Sequence, residues 1–237
     1  MAIYRDQGVV LRTIKLGESD RIVTFVTQTH GKVRAVAKGV RKTKSRFGAR
    51  LEPLTHVALQ LYEGRGDLDT VTQAETIDTF RPVREDLDRM TRATAMLEVV
   101  DQVAQEREAN PRLYQMLVGA LRAMAANSSP VLVPAFFWKL LSLEGFHPML
   151  DVCAGCGTPD ELVAFDLSQG GVLCRSCRRG LGVSPDALDL LRRILGGDLA
   201  RVLADPPSPA VAEVDRLAVV AMEAHLERRL RALHSPL

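Results

Sequence analysis

Nothing in this chain is long and apolar enough to cross a bilayer as a helix. No apolar run approaches the roughly 18–20 residues required. The opening MAIYRDQGVVLRT has no apolar segment followed by a small-residue cleavage site, so a cytosolic protein is expected. An excess of one charge is also missing. The 31 Lys and Arg and the 29 Asp and Glu leave a net +2, so only local clustering can point to a charged partner. Walker A, GxGxxG after a strand, HExxH and GxSxG are all absent, which lowers the case for an enzyme. Internal repeats and long low-complexity tracts are absent too. Cysteine is scarce, with four residues inside 25 positions. That placement argues against a dispersed disulfide framework and for a metal site. What remains is ordinary for a soluble globular protein, with 46% hydrophobic and 25% charged residues in 237.

The first 80 residues read as β structure. Gly8–Ile14, Ile22–Thr27, Lys32–Lys38, His56–Tyr62 and Leu68–Ile77 are short runs rich in β-branched or alternating residues. Gly17–Asp20, His30-Gly31 and Gly64–Asp67 are turns between them. Five short strands without intervening helices suggest a small barrel. An OB-fold is the five-stranded case that binds nucleic acid, and an SH3-like barrel is its structural rival. The pattern changes near Pro82. Leu87–Val100, Leu113–Met124 and Val133–Leu141 repeat at helical spacing and are expected to pack as a bundle. Ser184-Pro185 and Ser208-Pro209 each set a hydroxyl before a proline, the signature of a helix start. The expected class is α+β: an N-terminal domain over 1–80, then a mostly helical domain over 81–237 with cysteine knuckles at 150–180.

Cys153-Ala-Gly-Cys156 and Cys174-Arg-Ser-Cys177 are separated by 17 residues. Each CxxC turn presents two thiolates, and a hairpin between them folds one knuckle onto the other. Four thiolates complete a tetrahedral Zn²⁺ shell with no open position, so the metal is expected to be structural. Disulfides and redox-active thiols are the alternatives. The first is disfavoured by compartment and the second by the missing βαβ unit.

Lys32–Arg50 carries Lys32, Arg34, Lys38, Arg41, Lys42, Lys44, Arg46 and Arg50 and no acid. Lys32, Arg34 and Lys38 alternate with Val33, Ala35 and Ala37, which puts cations on one face of a strand and apolar groups on the other. Residues 41–50 read as a mobile basic loop. Eight cations in 19 residues repel one another unless an anion is present, so these are candidate DNA phosphate contacts, against the plainer reading of a solvated surface. Phe47 and Tyr62 are equally suited to stack on bases and to be core or ordinary surface. Phe136, Phe137 and Trp138 read as core, with one member a candidate for a partner groove. His147 reads as a loop residue, Arg175, Arg178 and Arg179 as solvated, and Glu18 and Asp20 as turn residues.

Gly17-Glu18-Ser19-Asp20-Arg21-Ile22-Val23-Thr24, then Gly31, Ala37-Lys38-Gly39-Val40-Arg41-Lys42, Ser45-Arg46-Phe47 and Leu51-Glu52-Pro53, resemble the bacterial RecO family of recombination mediators and DNA-repair proteins. The order of elements fits over essentially the whole chain. The resemblance implies an OB-fold followed by a mostly helical domain that holds the zinc motif. It implies binding of single- and double-stranded DNA, annealing of complementary strands, and no enzymatic activity. It also implies contact with the C-terminal tail of the single-stranded DNA-binding protein SSB, and help from the partner RecR in loading RecA. A cytoplasmic, nucleoid-associated location follows. The SSB tail is acidic and ends in apolar residues, so a cation beside an apolar groove is sought. Arg112, Arg122, Phe136, Phe137 and Lys139 are the candidates. The competing readings are a zinc-containing protein–protein adaptor, an RNA-binding protein and a nuclease.

Overall fold

The computed structural model describes residues 2–42, 44–45, 47–127 and 129–234. Five strands come first: β1 (Ile3–Leu16), β2 (Asp20–Thr27), β3 (Gly31–Ala37), β4 (His56–Tyr62) and β5 (Asp69–Asp78), with a short 3₁₀ turn at Gly48–Leu51. They form a closed barrel in the order β1-β2-β3-β5-β4, and β4 pairs back onto β1. All neighbours are antiparallel except β3 and β5. This is the OB-fold arrangement, and it decides against the SH3-like alternative.

β1 makes the closure possible because it is long enough to serve two partners. Residues from Ile3 to Val9 pair with β4, and residues from Gly8 to Leu16 pair with β2. A register shift between Val10 and Arg12 bends the strand where it passes from one partner to the other. Val9, Val10 and Leu11 are consecutively buried at that bend, which breaks the two-residue alternation expected of a half-exposed strand. The barrel core includes Val23, Phe25, Val33, Ala35, Val57, Leu59, Leu61 and Val71. β3 keeps strict alternation, with Val33, Ala35 and Ala37 inside.

Phe47 and Leu51 also belong to this core, so the segment after β3 is anchored through the barrel wall at its far end. Lys44 and Arg50 remain exposed on either side of that anchor. The expectation of a freely mobile loop over 41–50 omitted this attachment. Arg46 lies outside the described residues.

The helices and remaining strands follow: α1 (Arg81–Arg84), α2 (Leu87–Val103), α3 (Pro111–Ala126), α4 (Leu132–Leu143), β6 (Leu162–Asp166), β7 (Gly171–Cys174), β8 (Leu181–Gly182), α5 (Pro185–Leu195), α6 (Leu199–Val202), α7 (Pro209–His225) and α8 (Arg231–His234). Asp86, Asn110 and Ser184 accept the third backbone N–H of α2, α3 and α5 respectively, which satisfies one orphan donor in each first turn. Ser208 precedes α7 but makes no such bond, so there the start rests on Pro209.

Two compact units result. One spans the described residues 2–127 and 230–234, and the other spans 129–229. The expected bundle of α2, α3 and α4 is not formed as one body. α2 and α3 belong to the first unit, and α4 belongs to the second, where it packs against α5 and α7. In the second unit Trp138 of α4 meets Phe165 of β6 edge-to-face at 5.5 Å, which ties the helices to the small β7-β6-β8 sheet.

Candidate nucleic-acid interface and metal centre

On the barrel, the strand pairing sorts the basic residues into rows. Arg12, Thr24 and Arg34 are cross-strand neighbours on the outward side of β1, β2 and β3. The chain leaving α2 lies against this row. Lys32 accepts from the N–H of Arg107 and donates its own N–H to Gln105, both at 3.0 Å. The Lys32 ammonium donates to the carbonyl of Asp101 at 2.8 Å. Arg12 bonds the Asp101 carboxylate at 2.5 Å, and Arg34 stands 3.7 Å from Glu106. Glu106 therefore reaches Arg34, and a main-chain carbonyl reaches Lys32, from more than 60 residues away. Gly31 is essential to this fit. Its φ is +66°, and a Cβ would lie 1.9 Å from the carbonyl oxygen of Glu108.

Beyond that row the cations are open. Lys38, Arg41, Lys42 and Lys44 are exposed. Their backbone is held by the β1–β2 turn. The Asp20 carboxylate accepts the N–H of Gly39 at 2.7 Å and the hydroxyl of Ser19 at 2.9 Å. The N–H of Gly39 is the main influence that keeps the Asp20 carboxyl below its usual range. Arg41 donates its N–H to the carbonyl of Ser19 at 3.0 Å and its guanidinium to that of Glu18 at 2.9 Å. Glu18 and Asp20 thus act as turn residues that fasten the loop. Sequence reasoning passed over the neighbouring outward row Ile14, Ile22 and Val36, where Ile14 is 47% exposed. The signal was available in the alternation of Ile14 and Leu16 with charged residues.

Of the two aromatic candidates, Phe47 is 2% exposed and stacks on no base, while Tyr62 is 37% exposed at the end of β4. Arg112 and Arg122 are exposed on α3 in the first unit. In the second unit, Phe136 and Phe137 are buried and Lys139 is half-buried on α4. A peptide reaches neither ring without displacing its packed neighbours.

The four cysteines converge. The sulfur atoms of Cys153, Cys156, Cys174 and Cys177 all lie within 4.8 Å of one another, and Cys156 and Cys174 are 3.7 Å apart. A tetrahedral shell with metal–sulfur bonds of about 2.3 Å places its sulfurs about 3.8 Å apart, so the donor set fits such an ion. The β6–β7 hairpin brings the knuckles together, as the spacing implies. Cys153 Sγ accepts the N–H of Cys174 at 3.3 Å and of Gly155 at 3.4 Å. The N–H of Cys174 is the main cause that brings the Cys153 thiol down to about 6. Contact with Cys156 leads the influences that push Cys177 up to about 12, because packed thiols resist a second negative charge. His147 stands outside the cluster and hydrogen-bonds Ser142 at 2.8 Å. Arg175 faces Glu161 at 3.7 Å, Arg179 pairs with Asp166 at 3.0 Å, and Arg178 is exposed.

Residues 1–80 match the family model described as "Recombination protein O N terminal", and residues 84–234 match "Recombination protein O C terminal". The chain belongs to the RecO family. A relative from a Nocardioides species, named DNA repair protein RecO, is 46% identical over 241 residues, which cover 98% of each chain. The OB-type barrel, the helical remainder and the cysteine cluster are therefore features of a RecO-family DNA repair protein. None of the described helices is long and apolar enough to cross a membrane.

One buried polar pair in this RecO-family chain escaped sequence reasoning. His56 on β4 is 2% exposed, and its Nε2 shares a 2.7 Å hydrogen bond with the hydroxyl of Tyr114 on α3. Burial lowers the His56 pKa and pushes the Tyr114 hydroxyl up to about 12. The pair fastens α3 to the barrel, and no local pattern announces a contact across 58 residues.

Proposed function

We propose that this protein is a non-catalytic recombination mediator that binds single- and double-stranded DNA and anneals complementary strands. With RecR, it helps load RecA onto strands coated by SSB. The observation that carries the DNA-binding part is the exposed group Lys38, Arg41, Lys42 and Lys44, held on an OB-fold barrel by the β1–β2 turn. Phosphates that settle there release counterions, so affinity falls steeply with salt and is largely independent of sequence. Annealing follows from the same charge, since a cationic surface lowers the repulsion between two strands. Lys32 and Arg34 add to the local positive potential while tied to α2 and its tail. Residues 1–80 act as the DNA-binding domain, α2 and α3 belong to the same compact unit, and the unit over 129–229 holds the metal. The acidic, apolar-ended SSB tail is received on the helices, with Arg112 and Arg122 of the first unit, or Lys139 of the second, as the candidate cations. The work is done in the cytoplasm at the nucleoid.

Zinc is the metal the four-sulfur set suits. Bound, it supplies a cross-link between the knuckles and leaves no position for a water. Cys153, Cys156, Cys174 and Cys177 would hold it, and its role is to stabilise the fold.

The test is a salt titration of single-stranded DNA binding with K38A/R41A/K42A. Lower affinity is expected, with the log–log salt slope reduced by about 2, since each phosphate contact contributes about 0.7 for a single strand. An unchanged slope in a folded variant overturns the assignment. Competition between DNA and RNA of equal length decides which nucleic acid is preferred.

A further inference from the structure

The barrel has a second outward face, formed where the first half of β1 runs beside β4 and β5. A groove of about 530 Å³ crosses it and is lined by Gln7, Gln28, Gln60 and Gln73, among others. Gln7 and Gln28 also line an adjoining notch of about 260 Å³ that continues to Gln115, Gly119 and Arg122 on α3. Five of the chain's eight glutamines thus border two depressions that share Gln7 and Gln28, although they are scattered from residue 7 to residue 115. The strand register sets them in rows. Arg5, Gln60 and Gln73 are cross-strand neighbours, as are Gln7, Ala58 and Glu75. Gln60 is engaged with Arg5 and Thr72. The side-chain amides of Gln7, Gln28, Gln73 and Gln115 make no hydrogen bond among the described residues.

We infer that this groove is a subsite for the unpaired bases of single-stranded nucleic acid, separate from the phosphate-binding cations of the basic loop. The inference rests on the DNA-binding reading and deepens it. An amide presents a donor and an acceptor side by side, as does the free Watson–Crick edge of a base. In a duplex those edges are already paired, so the groove favours single strands, while the loop cations serve both forms. Phosphate is a poor occupant of the main groove, because Arg5 is offset there by Asp6 and Glu75. An extended peptide is also a poor occupant. Among its described lining residues the groove exposes no large apolar or aromatic anchor. Gly119 gives the notch room, since a Cβ there would meet nothing within 4 Å.

The experiment compares wild type with Q7A/Q73A/Q115A, using ordinary single-stranded DNA, an abasic single strand of equal length and a duplex. Wild type is expected to prefer the ordinary strand over the abasic one by about tenfold, the worth of one good amide–base pair. The variant is expected to lose that preference and keep its duplex affinity and salt slope. Loss of duplex binding to the same extent, or a preference that survives in the variant, overturns the inference, and the second result leaves the groove to a protein partner. If wild type binds no DNA at all, the DNA-binding reading itself fails. Retained duplex binding also shows that the variant is folded.

Discussion

At the scale of single residues, burial decides roles that residue type leaves open. Phe47 follows directly on a basic run, where an aromatic suits base stacking, yet its ring fills the barrel core. Truncation to alanine removes a large buried side chain, so Phe47→Ala is expected to cost about 3–5 kcal/mol in a denaturant melt. The attached basic loop is expected to become sensitive to protease in the same variant. His56 supplies a pH signature. Burial lowers its folded pKa, so between that value and the ordinary histidine value near 6.5 the unfolded chain binds more protons than the folded one. Stability is thus full above about pH 6.5 and falls as the pH drops below it. Urea melts between pH 8 and pH 5 are expected to show this fall, and His56→Gln is expected to reduce it.

At the scale of elements, the informative contact is between β3 and the chain that leaves α2. Alternation along Lys32–Lys38 was enough to place the cations on the outward face, because a strand side chain has only two directions to choose from. Alternation says nothing about what covers that face. Glu106 stands 3.7 Å from Arg34 and withholds part of its charge from solution. Glu106→Ala is therefore expected to raise affinity for single-stranded DNA about twofold at low salt and to steepen the salt slope by up to about 0.7, the contribution of one added phosphate contact. Filter binding across a salt series checks both. The knuckles are the opposite case. Two CxxC turns and a hairpin of suitable length are local, so their convergence was readable from spacing alone.

At the scale of the whole molecule, the chain forms two compact units, and the cysteine cluster belongs to the second. Structural zinc sites supply apparent free energies of about 10–16 kcal/mol in small domains, so metal loss is expected to be felt first around the knuckles. Treatment with a strong chelator is expected to release one equivalent of zinc. It is also expected to expose residues 150–180 to proteolysis while a fragment covering 2–127 stays intact. Mass spectrometry of the digest checks the cleavage sites, and Cys153→Ser is expected to give the same pattern without chelator.

What the sequence determined by itself was whatever depends on near neighbours: five strands from two-residue alternation, helices from their spacing, the metal knuckles, and the run of cations. The string Gly17–Thr24 and the segments after it carried the family resemblance as well, since a turn and its strand are local objects. Tertiary structure alone decided what depends on distant partners. It closed β1 onto β4, sent Phe47 inward, set Asp101 and Glu106 against the basic strand, and paired His56 with Tyr114. It also gathered scattered glutamines around a groove and its neighbouring notch. The physical reason is common to all of these. Local backbone preference and periodicity set the direction of a side chain, but its neighbours across space depend on how the whole barrel and its attached helices pack.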